Sequence, residues 1–127
     1  EIPFYSDIIR FEIIFNNLFS NAIRYQDFQK DSSLVSIQID TFVDKVEIEF
    51  SDNGVGIEKK NLKKIFDMFY RASDLSKGSG LGLYIVKETV DKLGGSIKVE
   101  SEFGVFTTFK ITIPNFSTEV NEYKEMK

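Results

Sequence analysis

The sequence predicts an α+β domain, a two-layer sandwich in which helices gather on one face of a mixed, mostly antiparallel sheet. Three observations lead there. Apolar residues recur at helical spacing in two segments and alternate in three others. The segments run helix, two strands, short helix, long helix, two strands, so successive strands can close as hairpins while the helices cover one side. The 127 residues amount to one domain at roughly 100 to 200 residues each.

Each element has its own signal. Ser6 and Asp7 are N-cap types, and Phe11, Ile14, Phe15, Leu18, Phe19 and Ala22 follow at helical intervals, predicting a helix over about 7–25. A polar loop occupies Asp27 to Ser33. Val35, Ile37 and Ile39 alternate with Ser36, Gln38 and Asp40, and Val46, Ile48 and Phe50 alternate with Glu47 and Glu49. These are expected to be half-buried strands of a hairpin turning near Asp44-Lys45. A glycine-punctuated turn, Ser51 to Ile57, precedes a charged short helix near Lys59 to Phe66. Arg71 to Gly80, with its serines and glycines, predicts a mobile loop. Leu83, Val86, Val90 and Leu93 mark a second long helix over about 81–93, stopped by Gly94-Gly95. Strands at 96–101 and 106–113 complete the sheet before Pro114. Residues 1–115 are expected to form the domain, and 116–127, without periodicity, a tail.

Composition narrows the chemistry. Lys plus Arg is 16 and Asp plus Glu 20, a net charge of −4, which argues against a broad surface for nucleic acid. The chain has no His, Cys or Trp. Their absence excludes disulfides, thiol nucleophiles, Cys/His zinc sites and any histidine base. What remains is hard oxygen ligands, amides, backbone groups and the cations Lys and Arg, an inventory that suits Mg²⁺ and phosphate. Thirteen Phe suggest a core built on phenylalanine. No apolar run approaches the roughly 20 residues that cross a bilayer, and Glu1-Ile2-Pro3-Phe4 is not a signal-peptide start. The expected setting is cytoplasmic, without direct membrane contact.

Three sets of residues could carry function. On the first helix Asn21 lies about 40° and Arg24 about 20° from Asn17, on opposite sides, which makes one narrow polar arc away from the apolar face. A solvated helix face would look similar, but asparagine is a mediocre helix former. Asp52-Asn53-Gly54-Val55-Gly56 follows a strand directly. A carboxylate there can accept from an amino group while the glycines let backbone approach a flat ligand, though Asn-Gly also makes plain turns. Gly78-Ser79-Gly80-Leu81-Gly82 enters a helix, where free N–H groups favour phosphate. No Gly-Lys-Ser/Thr follows, so it is not a Walker A loop. A polyanion would need such backbone fields and a few cations, here Arg24, Arg71 and Lys77.

In this order the pieces resemble the catalytic ATP-binding domain of sensor histidine kinases, within the GHKL ATPase superfamily. Asn17 to Tyr25 is similar to its N box and Asp52 to Ile57 to its first glycine box. Ile65 to Arg71 is similar to its F box, and Gly78 to Leu83 to its second glycine box. Each motif is weak alone; the ordered set is specific.

The resemblance implies roles. Asn21 would bind Mg²⁺ with Asn17 in support, and Arg24 would stand where the family usually has a lysine reaching the phosphates. Tyr25 would pack beside adenine and Asp52 would accept from its amino group in a pocket shaped by Gly54, Gly56 and Ile57. Phe66 and Phe69 would anchor a lid over about 70–80, while Arg71, Lys77, Gly78, Ser79, Gly80, Leu81, Gly82 and Leu83 would close on the phosphates. Thr107 or Thr108 would back the adenine, although Phe106-Thr107 replaces the family's Gly-Thr. The implied ligands are ATP and Mg²⁺. The implied partners are a dimerisation domain carrying the phosphoacceptor histidine and the receiver domain of a response regulator. A family glutamate that acts as base in related ATPases and serine kinases aligns with Asn17. A missing base costs about 10² to 10⁴ in rate, which suits an imidazole acceptor. A serine kinase, an ATPase or a non-catalytic interaction module of the same superfamily are the alternatives. Because the family carries a helix and a strand before the N box, the expected domain is N-terminally shortened, with one sheet edge open or paired with another molecule.

Overall fold

The structure, a computed structural model, describes residues 3–71 and 80–115. Helix α1 (Ile8–Arg24) leads to a hairpin of β1 (Val35–Thr41) and β2 (Lys45–Asp52). A 3-10 turn (Lys59–Asn61), helix α2 (Gly82–Lys92) and a second hairpin, β3 (Ser96–Glu102) and β4 (Phe106–Pro114), follow. The sheet order is β1-β2-β4-β3, and every pairing among the described strands is antiparallel. Where the sequence predicts a short helix near Lys59 to Phe66, only the first turn is helical and the rest is a chain of turns to Phe69.

Helix α1 starts where Asp7 supplies the cap. Its Oδ1 accepts from Ile9 N at 3.0 Å and Arg10 N at 3.2 Å, which satisfies two of the helix's orphan donors. Asp7→Ala is expected to lower stability by about 1 kcal/mol, measured by urea denaturation. Helix α2 ends at Gly94, whose φ of 76° is the left-handed conformation that closes a helix.

The core lies between one face of the sheet and the two helices. Ile14, Leu18 and Ala22 of α1, with Val86 and Val90 of α2, meet Val46, Ile48 and Phe50 of β2 and Phe109, Ile111 and Ile113 of β4. The expected phenylalanine core is corrected here. Among the described residues only Phe50 and Phe109 are fully buried rings, and β-branched aliphatics fill most of the interior. Other rings pack at the margin, Phe19 edge-on to Phe50 with centroids 5.0 Å apart and Phe66 edge-on to Phe109 at 6.3 Å.

A second correction concerns β1, which is exposed along nearly its whole length rather than half-buried. Ile37 and Ile39 pair with Phe50 and Ile48 and so share the apolar face. They remain 39% and 55% exposed because β1 is the sheet edge and the helices sit over the strands further in. Alternation identifies which side chains share a face, but burial depends on what lies above it.

Asn115 fastens the far end of the sheet. Its Nδ2 donates to Pro3 O at 2.9 Å and Phe42 O at 3.2 Å, its Oδ1 accepts from Tyr5 N at 3.2 Å, and its N–H reaches Asp44 O. This leaves the opposite end, where β2 meets the glycine turn and α2 begins, to form a cleft.

Candidate functional site

A cleft of about 420 Å³ opens between the second half of α1, the turn after β2 and the start of α2. Its first wall is the polar arc of α1: Asn17, Ser20, Asn21, Arg24 and Tyr25 all line it, because the residues of α1 that point into the core, Ile14, Leu18 and Ala22, fix the helix's rotation. Asn17 Nδ2 donates to Ile13 O at 2.7 Å. Its Oδ1 faces Gly82, where a Cβ would sit 3.4 Å from it. Asn17 thus lies against the start of α2. The side chains of Asn21 and Arg24 make no hydrogen bond to any described residue, so their polar atoms are available to a ligand.

Asp52, the last residue of β2, forms the opposite end. It is 9% exposed, and its Oδ1 accepts from Gly54 N at 2.9 Å. Burial pushes its carboxyl pKa above the ordinary value, opposed by the Gly54 hydrogen bond and the charge of Lys30. Gly54 and Gly56 earn their places sterically. A Cβ on Gly54 would collide with the Tyr25 carbonyl and come within 2.9 Å of Asp52 Oδ1, and Gly56, at φ 73°, is pressed against the backbone of Glu102 and Phe103. Ile57 completes this wall; its N–H donates to Ser101 Oγ at 2.8 Å.

The strand register settles which threonine faces the cleft. Thr107 pairs with Asp52 and lines the cavity. Its hydroxyl is 3.0 Å from Ser101 Oγ, which itself donates to Phe106 O, so Thr107 is the donor of that pair. Thr108 instead bonds Ser51 at 2.7 Å on the other face.

The third wall is the entry to α2. Gly80, Gly82 and Leu83 line the cleft and Leu81 does not. The Leu81 side chain makes no cap bond to the helix, and the first N–H groups and dipole of a helix favour an anion. Arg71 also lines the cleft. Lys77, Gly78 and Ser79, and most of the expected lid, lie outside the described residues. Of the two expected anchors, Phe66 packs on Phe109 against the core. The Phe69 ring is 65% exposed. Phe69 is tied through its backbone, in the left-handed region at φ 65°, with its N–H donating to Gly80 O at 2.9 Å.

The structure adds Val55, Glu58, Asn61, Ile65, Tyr70 and Phe103 to the lining, with Ser20. Ser20 was findable, since it lies on the same arc of α1. Tyr70 sits beside Arg71 in the aromatic motif. Phe103 reaches the site through the β3–β4 turn, whose position the linear sequence indicates but whose approach to the cleft it does not.

The cleft therefore brings together a buried carboxylate, the amides of Asn17 and Asn21, two arginines and the start of a helix. Such a site fits a ligand with an amino-bearing ring and a polyanionic tail. No group of three or more His, Cys, Asp or Glu among the described residues could hold a metal ion. The neutral oxygens of Asn21 and Asn17 fit a hard cation that arrives with phosphate and keeps some of its water.

A family model described as histidine kinase-, DNA gyrase B-, and HSP90-like ATPase matches residues 6–116. The chain belongs to this family. Among curated relatives, this ATPase domain is 38% identical over 114 residues to the sensor protein RprX of Bacteroides fragilis, an alignment covering 87% of the chain and 22% of the relative. It is 37% identical over 128 residues to the autoinducer 2 sensor kinase/phosphatase LuxQ of Vibrio vulnificus, covering 94% and 15%. The chain thus spans about a fifth or less of these relatives. Among solved structures it is similar to the mycobacterial sensor histidine kinase MprB, with a TM-score of 0.75 and 25% identity over 88% of this chain and 76% of that one. It is also similar to the catalytic domain of histidine kinase ThkA, with a TM-score of 0.72 and 28% identity over 87% and 70%. The fold is that of histidine kinase ATPase domains. No helix among the described residues is long and apolar enough to cross a membrane.

Proposed function

We propose that this ATPase domain binds Mg-ATP in the cleft and presents the γ-phosphate to a histidine on a separate dimerisation and phosphoacceptor domain, in two-component signalling that ends on the receiver domain of a response regulator. One observation carries the reading: a single cleft is lined by the buried Asp52 carboxylate, by the start of α2 at Gly82 and Leu83, and by Asn21, whose side chain makes no hydrogen bond to any described residue.

In this reading Asp52 accepts from the adenine amino group, and Thr107, Ile57 and Tyr25 frame the ring. Gly54 and Gly56 keep the wall thin where the ring enters. At the other end Arg24, Arg71 and the first N–H groups of α2 neutralise phosphate oxygens, with Gly80, Gly82 and Leu83 as the backbone against them. Asn21, supported by Asn17, would hold Mg²⁺, which supplies charge neutralisation across the phosphates. Lys77, Gly78 and Ser79, from the segment between Arg71 and Gly80, are proposed to act on the phosphates as well.

Phosphoryl transfer asks the protein mainly for positioning and electrostatics. Asn17 cannot take a proton, and its Nδ2 is committed to Ile13 O. A nucleophile that needs no base, such as a neutral imidazole, suits this site. The chain has no histidine, so that imidazole must come from elsewhere. The names of the relatives, a sensor protein and a sensor kinase/phosphatase, support this setting.

Calorimetric titration with ATP and GTP, each with and without Mg²⁺, tests the proposal. ATP is expected to bind more tightly than GTP and to depend on Mg²⁺. Equal binding of the two would remove the adenine assignment.

A further inference from the structure

We propose that Lys30 is a positioning residue that holds together the two segments forming the base-side wall of the cleft. The proposal rests on the nucleotide reading above. Lys30 lies in the loop after α1 and does not line the cavity. Its ammonium donates to Asn53 O at 2.7 Å, to Gly54 O at 3.1 Å and to Val105 O at 2.9 Å, using all three of its protons.

Those carbonyls come from two places far apart in sequence. Asn53 and Gly54 belong to the turn after β2, whose Val55 and Gly56 line the cleft; Val105 belongs to the β3–β4 turn, whose Phe103 lines it too. The two turns also meet directly, through Gly104 N donating to Val55 O at 2.6 Å and the close approach of Gly56 to Glu102. Val55 N in turn donates to Tyr25 O at 3.0 Å, so the end of α1 joins the same assembly. Three carbonyl oxygens converging on one point repel one another unless a cation sits among them. A neutral side chain of equal length leaves that repulsion in place, and the turns would separate there.

The other side of the first turn is secured independently. Asn53 Oδ1 accepts from Leu34 N at 2.7 Å and Asn53 Nδ2 donates to Ser32 O at 2.9 Å. Losing Lys30 therefore frees the side of the turn that faces Phe103 and leaves the strand-side attachment intact. Lys30 also opposes the effect of burial on Asp52, so its charge supports the ionised carboxylate that would receive the ring's amino group.

The test compares the unaltered chain with Lys30→Met and Lys30→Arg. Calorimetry measures Mg-ATP and Mg-inosine triphosphate, which lacks the amino group, and amide hydrogen exchange is followed at Val55, Gly104, Ile48 and Phe50. Lys30→Met is expected to weaken ATP about fivefold, with the preference for ATP over inosine triphosphate falling in step. Exchange should accelerate at Val55 and Gly104 and stay unchanged at Ile48 and Phe50, and Lys30→Arg, which keeps charge and donors, should restore most of the difference. An unchanged preference in Lys30→Met, or exchange accelerated equally in the central strand, would overturn the proposal. If the unaltered chain shows no preference for ATP, the adenine reading fails, and the exchange rates alone decide whether Lys30 joins the two turns.

Discussion

Asp52→Asn is expected to weaken ATP binding about ten- to hundredfold, the worth of a charge-assisted hydrogen bond of about 1.5–3 kcal/mol, while raising the melting temperature of the ligand-free chain. The two effects share one cause. Asp52 is nearly buried and has one backbone donor, Gly54 N, so its charge is poorly compensated until a ligand brings another donor. Its pKa is raised in the fold. The folded state therefore holds the proton more tightly than the unfolded state, and stability falls as pH rises from the ordinary carboxylate range through the raised value. Above that window the full penalty applies, and asparagine removes it while keeping an oxygen for Gly54 N. Thermal melts of both proteins from pH 3 to 7, with calorimetry at pH 7, check this. The gap in melting temperature should widen with pH. A less stable Asp52→Asn at pH 7 would mean the carboxylate is a structural element rather than a binding one.

Asn21→Ala should weaken Mg-ATP binding by about a hundredfold, the upper range for disturbing the ligands of a bound metal, and abolish the gain that Mg²⁺ gives. Its effect on folding should be small, because the Asn21 side chain makes no hydrogen bond to any described residue. Calorimetry with and without Mg²⁺, beside a urea titration, separates the two. An unaltered Mg²⁺ dependence would move the metal role away from Asn21.

Local physics made much of this legible in the linear chain. Helix α1 follows from apolar spacing and an aspartate cap, and the same 3.6-residue period that buries Leu18 and Ala22 turns Asn17, Asn21 and Arg24 into the cleft. Asp52 was visible because a carboxylate ending an alternating strand and followed by Gly-x-Gly is an odd thing to place beside a core. What the sequence could not convey depends on tertiary closure. Alternation in β1 looks like that in β2, and only the sheet order makes one an exposed edge and the other the centre. Thirteen phenylalanines give no hint that most sit at the margin. Phe69 falls within an aromatic motif, yet it contributes its backbone to the neighbouring glycine segment rather than its ring. Lys30 looks like any lysine in a polar loop until the fold brings carbonyls from residues 53, 54 and 105 around it. Phe103 joins the site for the same reason, through a turn whose approach to the cleft no local pattern encodes.

In the proposed function this cleft holds an adenine nucleotide with its ring at Asp52 and its phosphates at the start of α2. Backbone amide NMR shifts of the isotope-labelled chain, titrated with Mg²⁺ and a non-hydrolysable ATP analogue, test it directly. Shifts are expected at Tyr25, Gly54, Gly56 and Ile57 around the ring, and at Asn21, Gly80, Gly82 and Leu83 around the phosphates, with β1 and the outer face of β3 unmoved. No shifts, or shifts centred on β1 and the outer sheet face, would contradict it.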